Sequence, residues 1–474
     1  MIEIVAIDTP SLGDRGYLAT DGRVALVVDA QRDYDRVVQM AADRGVTITH
    51  VLETHVHNDY VTGGLALARA VGAEYLVNGE DPVTFDRTPV SDGDLVTIGD
   101  MLVRVIATPG HTFTHLAYAL SDGTLSGAGG PGDPSAADSG RRILAAFTGG
   151  SLLNGSTGRT DLLGAVHAAA LTRAQFASAR RLAAELPDAA PVCPTHGFGS
   201  FCSATPTLGG GSTIGDEKRV NPALTQSEAD YVEQLLAGLD AYPAYYARMG
   251  PANLAGPAAP DLQVPRRAEP AELRRRIDAG EWVVDLRSRT AFAAGHLRGT
   301  LNFELGSNLA TYLGWLIPWG TPLTLIGDTP QAVAEAQRDL CRIGIDRIEA
   351  AATGPTADWS AGEGLEAFEV ADFATLAQKA GNGALVLLDV RRDSEWDAAH
   401  LDGAVHIPLH QLSARSSEIP PGEIWVHCQA GYRAAVAASM LAASGRDVVA
   451  IHDDFAAARE AGLVMVAGEQ AASV

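Results

Sequence analysis

The segment THVHNDY (Thr54–Tyr60) follows an apolar run, Ile48–Leu52, that has the composition of a β-strand. Two imidazoles two residues apart on a loop can reach one ion together. His111 and His196 likewise come directly after apolar runs. Four histidines at the ends of strands are what a metal site at one rim of a sheet sandwich requires. The sequence therefore predicts a metal site built from loops that follow strands.

Short β-rich runs and helical patterns alternate through the first 200 residues, which is typical of a mixed α/β fold. Helices are predicted around Asp35–Arg44 and Arg173–Glu185, and another over Gln226–Leu239. The glycine-rich stretch Thr205–Asp216 is predicted to be a loop. The Pro- and Ala-rich residues 246–265 are predicted to be an interdomain linker.

Beyond the linker the chain repeats itself. The stretch Val283–Phe303 matches Leu387–Ile407 at a constant offset of 104. Four identical pairs fall in step, namely Asp285/Asp389, Arg287/Arg391, His296/His400 and Gly299/Gly403. Each copy continues into a short apolar strand and an Ala-rich helical run. This repeat predicts two tandem α/β domains of about 100 residues, and the predicted segments are 1–245, 246–265, 266–356 and 366–474.

The sequence HCQAGYR (His427–Arg433) lies between an apolar strand and a helical run. A cysteine at such a turn, here Cys428, faces the N-terminus of a helix, whose free N–H groups and dipole stabilise an anion. Arg433 adds a positive charge. Both effects favour a thiolate nucleophile, and the same loop would hold a persulfide anion. Cys428 and Arg433 are therefore predicted to be catalytic, and the loop to bind substrate through Gln429, Ala430, Gly431 and Tyr432.

These residues resemble the rhodanese family of sulfurtransferases, whose active-site loop is C-x-x-G-x-R and whose upstream pattern is D-x-R…H-x-x-G-A. The upstream pattern is present as Asp389–Arg391 and His400–Ala404. In the first copy, Asp328 is expected at the position of the cysteine. Because a carboxylate cannot carry sulfur, that copy is expected to be a non-catalytic rhodanese-homology domain with a packing and spacing role.

The histidine-rich segments resemble the metallo-β-lactamase fold, with its T-H-x-H-x-D-H motif, P-G-H-T loop, F-T-G-D turn and late histidine. Within that fold, Gly158–Asp161 and His196–Cys202 are similar to bacterial fusions of a persulfide dioxygenase with two rhodanese domains. The resemblance implies an αββα sandwich followed by two tandem rhodanese-like α/β domains. Two positions depart from the motif, since Tyr60 replaces its last histidine and Gly150 replaces the aspartate of F-T-G-D.

In that family one Fe(II) is held by the first motif histidine, the P-G-H histidine and the aspartate. The resemblance thus implies His55 and His111 as ligands, and the third place is left to His57, to water or substrate, or to none in a metal-poor domain. Iron is the expected ion and zinc the alternative, with at most one weakly bound ion per chain. An aspartate introduced at Gly150 is expected to raise metal occupancy. The insert 127–140 offers two further carboxylates, Asp133 and Asp138.

Two more residues of this half are candidates for catalysis or binding. Arg159 is implied by the resemblance as a contact for an anionic thiol substrate. Cys202, six residues after His196 on a glycine-rich loop, is predicted to be a sulfur-accepting thiol near the metal, with a packing cysteine as the alternative. Cys193 and Cys341 lie in apolar contexts and are predicted to be core residues.

The composition of the 474-residue chain limits the partners and the cellular location that can be expected. Its net charge of −23 disfavours nucleic acid and anionic membranes as partners. Four cysteines make no disulfide framework, and no apolar run reaches the length that spans a bilayer. Because the N-terminus lacks a signal-peptide pattern, the cytoplasm is the expected location.

The function predicted from these features is sulfur handling by an enzyme. A rhodanese-type sulfurtransferase is coupled to a persulfide-dioxygenase-like domain that acts on low-molecular-weight persulfides and yields sulfite or thiosulfate. Small thiols and persulfides are the expected partners, and a homo-oligomer is the expected assembly. In one alternative the N-terminal domain is a non-catalytic scaffold. In the other the chain is a zinc thioester hydrolase similar to glyoxalase II, which is disfavoured because that chemistry usually draws on two metals and a bridging aspartate.

Overall fold

The computed structural model describes residues 1–123, 142–205, 207, 210–360, 362, 364–379 and 385–466. The chain divides into two units, of which the first holds Met1–Asp261 and Cys341–Gly344 and the second holds Leu262–Leu340 and Ile345–Val474. In the described ranges, no helix has both the length and the apolarity needed to cross a membrane.

Two six-stranded β-sheets form the centre of the first unit. The strands of the first sheet follow chain order: β1 (Glu3–Thr9), β2 (Asp14–Thr20), β3 (Val24–Val28), β4 (Thr47–Leu52), β5 (Glu74–Asn78) and β6 (Thr88–Val90). The second sheet has the spatial order β12 (Ser212–Thr213), β11 (Pro191–Pro194), β10 (Ile143–Gly149), β9 (Leu116–Asp122), β8 (Met101–Ala107) and β7 (Leu95–Ile98). The loops that carry the predicted ligands follow β4, β8 and β11.

Helices cover the outer faces of the two sheets. In the described part of the unit they are α1 (Asp35–Arg44), α2 (Gly64–Val71), α3 (Ala165–Glu185), α4 (Ile214–Val220), α5 (Pro222–Thr225), α6 (Glu228–Ala237) and α7 (Tyr246–Ala255). In α1, Val37 and Ala41 lie one turn apart on the buried face, and Gly45 ends the helix with a positive φ of 65°. The helices predicted around α1, α3 and α6 are confirmed.

Three apolar clusters arrange these elements in four layers. Leu26 and Leu52 of the first sheet pack with Val103 and Phe147 of the second, so the two sheets face each other. Residues of α1 and α2 pack on the other face of the first sheet. Residues of α3 and α6 pack on the other face of the second sheet. This is an αββα sandwich, which confirms the predicted fold class.

Two predicted irregular stretches contain regular structure. The predicted linker 246–265 includes α7, whose Tyr246, Met249 and Asn253 are buried in the first unit. The buried side chains recur every three to four residues, and the Pro/Ala-rich composition concealed that period. The predicted loop Thr205–Asp216 includes β12 and the start of α4, where the Thr213 hydroxyl accepts a hydrogen bond from the Asp216 amide as an N-cap.

The second unit holds two parallel sheets. The first copy contains α8 (Pro270–Asp278), β13 (Trp282–Asp285), α9 (Arg289–Ala294), β14 (Leu301–Asn302), α10 (Leu309–Leu316), β15 (Leu323–Gly327), α11 (Pro330–Arg342) and β16 (Ile348–Thr353). The second copy contains β17 (Glu369–Ala371), α12 (Phe373–Lys379), β18 (Val386–Asp389), α13 (Asp393–Ala398), β19 (His400–Leu401), β20 (Val405–His406), α14 (Leu412–Arg415), β21 (Ile424–His427), α15 (Tyr432–Ala443), β22 (Val448–Ile451), α16 (Ala456–Glu460) and β23 (Met465–Val466). Short 3₁₀ turns lie at Thr356–Asp358, Leu409–Gln411 and Ser416–Glu418.

The strand orders of the two sheets match. The first copy is ordered β14-β13-β15-β16 and the second β20-β18-β21-β22, with β17 added beyond β22. Equivalent side chains also make equivalent bonds. The Arg287 guanidinium donates to Asp285 and to the Gly295 carbonyl, and the Arg391 guanidinium donates to Asp389 and to the Ala399 carbonyl. The repeat seen in the sequence is therefore a repeat of structure.

Sheet register corrects the position that was expected to replace the catalytic cysteine. Asp285 is paired with Ile326, and its equivalent Asp389 is paired with His427. The residue after Ile326 is Gly327, so Gly327 and not Asp328 is the equivalent of Cys428. The segment between β15 and α11 in the first copy is also two residues shorter than the segment between β21 and α15 in the second. The two turns therefore cannot be aligned residue by residue from the sequence. The conclusion that this copy lacks a sulfur-carrying thiol at the turn is unchanged.

Candidate functional site

Four histidines meet where the strands of the first unit end. His55 and His57 follow β4, His111 follows β8, and His196 follows β11. All four are buried, with at most 2% of their surface exposed. The rings of His55 and His111 lie 4.8 Å apart between centroids, and those of His111 and His196 lie 5.2 Å apart. The predicted ligands are thus brought together at one rim of the sandwich.

The Nδ1 atoms of His55 and His111 are held by neighbouring acceptors. His111 Nδ1 donates to the carbonyl of Arg159 at 2.7 Å. His55 Nδ1 lies 2.8 Å from the Thr54 hydroxyl, which itself donates to Asp29 and therefore accepts from the imidazole. With the proton on Nδ1, the Nε2 atoms of His55 and His111 keep their lone pairs. The low polarity of the site supports this, because burial lowers the pKa of His111 to about 3.

The Nε2 atoms of His55 and His196 face each other at 3.4 Å. Two nitrogens bound to one tetrahedral zinc ion would also lie about 3.4 Å apart. His111 Nε2 is buried and has no hydrogen-bond partner in the described ranges. Burial opposes protonation of His196, but Asp59 and Asp14 outweigh it and raise its pKa well above the ordinary value, so an ion bound at Nε2 would displace a proton. Buried ring nitrogens this close together are typical of a metal site. The residues present therefore fit one metal ion.

Four sets of three donor atoms lie within 4.8 Å of one another among the described residues. They are His55–His57–His196, His111–His196–Cys202, Asp14–Asp59–His196 and Asp29–Glu53–His57. His196 belongs to three of the four sets, although the family resemblance implied only His55 and His111 as ligands, with His57 as a candidate third. The set His55–His57–His111 that was predicted to bind the ion stays a prediction.

His57 faces two carboxylates in addition to the other histidines. Its Nε2 lies 3.3 Å from Asp29, 3.2 Å from Glu53 and 2.9 Å from the Tyr60 hydroxyl. Burial opposes protonation, but Asp29 and Glu53 outweigh it and raise the pKa of His57 to about 9. For His57 to serve as a third ligand, its imidazole would have to lose the proton that these carboxylates stabilise.

The two departures from the family motif have visible consequences. Tyr60 stands where the family motif has a histidine ligand, and its hydroxyl is hydrogen-bonded to His57. A Cβ atom built on Gly150 would lie 2.3 Å from Cδ2 of His111, so the His111 ring occupies the space that a side chain at residue 150 would need. This corrects the expectation for an aspartate at Gly150, because such a carboxylate fits only if His111 moves. The insert 127–140, with Asp133 and Asp138, lies outside the described residues.

Asp14 and His115 belong to the cluster but were not identified from the sequence. Asp14, at the start of β2, lies 2.9 Å from His196 Nδ1, and Asp59 lies 3.1 Å from the same atom. Burial and Asp59 raise the pKa of Asp14 to about 7. His115 lies beside His55 with stacked rings, and its Nε2 accepts a hydrogen bond from the Gly150 amide. The spacing of His111 and His115 was available in the sequence, whereas nothing local identified Asp14.

Cys202 is fully buried beside this cluster. Burial and the carboxylates of Asp59 and Asp14 raise the pKa of its thiol well above the usual value. Arg159, which was expected to contact substrate, is also buried, and its guanidinium is bound by other residues of the protein. Its guanidinium is paired with Asp161 and donates to the carbonyls of Phe201 and Asp240; in the structure it orders the segment that carries Cys202.

Cys428 of the second unit lies at the turn between β21 and α15, as predicted. The thiol is buried, with 2% of the residue exposed. Gly431 adopts a φ of +86°, and a Cβ there would lie 3.1 Å from His452. Glycine is therefore required where the loop turns into the helix. The four loop residues predicted to bind substrate, Gln429 to Tyr432, form the rest of this turn and the first residue of α15.

The first copy contacts the loop of the second. The ring of Tyr312 in α10 lies 5.6 Å from the ring of Tyr432. Arg289 in α9 donates to His452 Nε2 at 3.0 Å, beside Gly431. These contacts agree with the packing role expected of the first copy.

Arg433 is held by a carboxylate on α13. Its two terminal nitrogens donate to Glu395 at 2.6 and 2.7 Å, in a partly buried bidentate pair. Burial opposes ionisation of Glu395, but Arg433 outweighs it and lowers the pKa of the carboxyl to about 2. Arg433, which the sequence predicted only to be catalytic, therefore also stabilises the fold.

We expect Arg433→Ala to lower the free energy of unfolding by about 2 kcal/mol, because it leaves a partly buried carboxylate without its main partner. Sulfur transfer at Cys428 should fall by at least about tenfold, since a charge beside the thiolate is lost. The matched variant Glu395→Gln also loses the pair but keeps the cation. It should lose stability and retain transfer, as measured by urea unfolding and a thiocyanate assay. Equal loss of transfer in both variants would contradict an electrostatic role for Arg433.

The Arg433–Glu395 pair predicts that the free energy of unfolding depends on pH. The folded-state pKa of Glu395, about 2, lies below its ordinary value of 4.5. Its contribution to stability is therefore complete above pH 4.5 and disappears as the pH falls towards 2. The stability difference between the wild type and Glu395→Gln should shrink over that window in urea titrations.

Comparison with known proteins assigns a family to the second copy. Residues 372–460 match the family profile of the rhodanese-like domain. The solved structure of a metallo-β-lactamase from Staphylococcus aureus subsp. aureus COL has a TM-score of 0.63 and 26% identity, covering 75% of this chain and 99% of that one. The chain therefore joins a metallo-β-lactamase fold to a C-terminal rhodanese-like domain.

Two curated relatives match the first unit. The mitochondrial persulfide dioxygenase of Homo sapiens is 25% identical over 224 residues, which are 47% of this chain and 73% of the dioxygenase. A hydroxyacylglutathione hydrolase of Rhizobium etli is 39% identical over 92 residues, which are 19% of this chain and 36% of the hydrolase. The chain thus spans only about a third of the length of that hydrolase.

Proposed function

We propose that this protein is an enzyme of sulfur metabolism that transfers sulfane sulfur at Cys428 and oxidises low-molecular-weight persulfides at the metal site of its first unit. The observation that carries the proposal is the joint presence of two sites in one chain. One is a buried cysteine at a strand-to-helix turn in a rhodanese-like domain. The other is a buried histidine cluster in a metallo-β-lactamase fold.

Transfer at Cys428 follows from its position. The thiolate attacks the outer sulfur of a persulfide R–S–SH, the S–S bond breaks, and R–S⁻ leaves with the proton. Cys428 then carries the sulfur as Cys–S–S⁻, and the helix N-terminus of α15 and Arg433 stabilise that anion. A second nucleophile, such as cyanide or sulfite, attacks the terminal sulfur and regenerates the thiolate.

The donor sets that share His196 would hold the metal: His55 and His57, His111 and Cys202, or Asp14 and Asp59 lie with it within 4.8 Å. Iron bound there would supply the redox chemistry by which one O₂ and one water convert R–S–SH into R–SH and sulfite. The chain itself fixes the imidazoles, through the Thr54 hydroxyl on His55, the Arg159 carbonyl on His111 and Asp14 on His196. These outer partners set which nitrogen is free and restrict rotation of each ring.

A second candidate function is favoured by the 39% identity to a hydroxyacylglutathione hydrolase. Zinc at the same residues would hydrolyse a thioester of glutathione. Tyr60 and Gly150 argue against it, because a two-metal hydrolase site would need both positions as ligands. Assays of thioester hydrolysis and of persulfide-dependent O₂ uptake on the same preparation separate the two functions.

The first copy is expected to carry no sulfur. Gly327 and Asp328 stand at its strand-to-helix turn, and Cys341 is the only thiol between Leu262 and Gly354. After treatment with a persulfide donor, peptide mass mapping should find added sulfur on Cys428 and less than about a tenth as much on Cys341, which is buried at 2% exposure. Equal labelling of the two cysteines would contradict the assignment.

A further inference from the structure

Cys202, which the sequence predicted to be a sulfur-accepting thiol near the metal, lies close enough to two imidazoles to be a metal ligand itself. Its sulfur, a ring nitrogen of His111 and a ring nitrogen of His196 all lie within 4.8 Å of one another. All three residues are buried at 0% exposure. Thiolate sulfur and imidazole nitrogen are both ligands that zinc and other soft or borderline metal ions take in proteins, with sulfur about 2.3 Å from zinc.

The geometry at His111 favours this set. The ring lies between two glycines, and a Cβ on Gly150 or on Gly158 would lie 2.3 or 2.6 Å from ring atoms. Residue 150 therefore supplies no ligand while the ring stays where it is. An anionic ligand on the His111 side of the site must then come from another residue, because the carboxylates of Asp14 and Asp59 lie at His196 Nδ1.

Arg159 ties the two donors together. Its carbonyl accepts the Nδ1 proton of His111 at 2.7 Å, which directs Nε2 away from that bond. Its amide donates to the carbonyl of Cys202 at 2.8 Å, and its guanidinium donates to the carbonyl of Phe201. One residue thus fixes both His111 and the chain around Cys202. Nε2 of His111 is one of the buried atoms that have no hydrogen-bond partner in the described ranges.

We infer that Cys202 binds the metal as a thiolate together with His111 and His196, in place of the missing carboxylate of residue 150. On binding, the S–H bond breaks, the metal–sulfur bond forms, and the proton leaves to solvent. The ion is a divalent metal that accepts sulfur, zinc or iron. This assignment concerns the ligands only and holds whichever reaction the site performs.

Cobalt(II) tests the assignment, because a cobalt–thiolate bond gives a charge-transfer absorption that cobalt bound by nitrogen and oxygen lacks. Metal-free full-length protein is titrated anaerobically with Co²⁺. The wild type should show the sulfur band, and Cys202→Ser should lose it and bind Co²⁺ at least about tenfold more weakly. The matched control is Cys193→Ser, a cysteine of β11 in the same unit, which should keep both the band and the affinity.

Two results would overturn the inference. One is a wild type that binds Co²⁺ without the sulfur band, and the other is a band that persists in Cys202→Ser. Should Cys202→Ser fail to fold by circular dichroism, X-ray absorption on the zinc-loaded wild type decides instead. It should show one sulfur at about 2.3 Å from zinc, and a shell of nitrogen and oxygen alone would exclude Cys202. Neither measurement depends on persulfide oxidation.

Discussion

Replacing Cys428 by serine will reduce sulfur transfer to the background rate, a loss of at least about 1000-fold. Serine has nearly the same size, so the buried turn between β21 and α15 should keep its structure. Its hydroxyl stays protonated at neutral pH and forms no persulfide. The loss should be seen with thiosulfate or glutathione persulfide as donor and cyanide as acceptor, measured as thiocyanate formed.

The control for this variant is Cys193→Ser, which changes a thiol outside the second unit. It should transfer sulfur at the wild-type rate. Transfer that continues undiminished in Cys428→Ser would show that another thiol carries the sulfur, and the mass mapping of labelled peptides would identify it.

The second large effect is expected at His196. His196→Ala removes a ring that three of the four donor sets share. It also leaves the carboxylates of Asp14 and Asp59 without the imidazole between them. We expect the dissociation constant for iron to rise by at least about 100-fold, together with loss of persulfide-dependent O₂ uptake. Metal content after gel filtration and O₂ electrode traces measure the two effects.

His167→Ala is the matched control, because His167 is an exposed histidine of α3 in the same unit. It should keep metal and O₂ uptake. Sulfur transfer at Cys428 should be unchanged in both variants, since that site belongs to the other unit. A His196→Ala protein with wild-type iron content would remove His196 from the ligand set.

The parts of this fold that the sequence predicted are those with local signals. The histidine motif marks the end of β4, the C-x-x-G-x-R loop marks the turn before α15, and the constant offset marks the repeat. Each of these depends on residues close together in the chain. The strands and loops they lie on are then constrained by the periodicity of their own apolar residues.

The features that the sequence did not predict depend on residues far apart. Asp14 reaches His196 across 182 positions, so no motif contains both. The equivalence of Gly327 and Cys428 follows from sheet register and not from the neighbouring residues in the sequence. Helix α7 was hidden by its composition, although Asn253 on it donates to the carbonyls of His57 and Tyr60. The consequence of Gly150 became clear only when the position of the His111 ring was known.

Oxygen uptake by the iron-loaded full-length protein tests the central claim most directly. With glutathione persulfide as substrate, the proposed function predicts one O₂ consumed per persulfide, sulfite formed in the same amount, and no hydrolysis of a hydroxyacyl-glutathione thioester by the same sample. O₂ uptake no greater than that of metal-free protein, with thioester hydrolysis in the loaded sample, would contradict it.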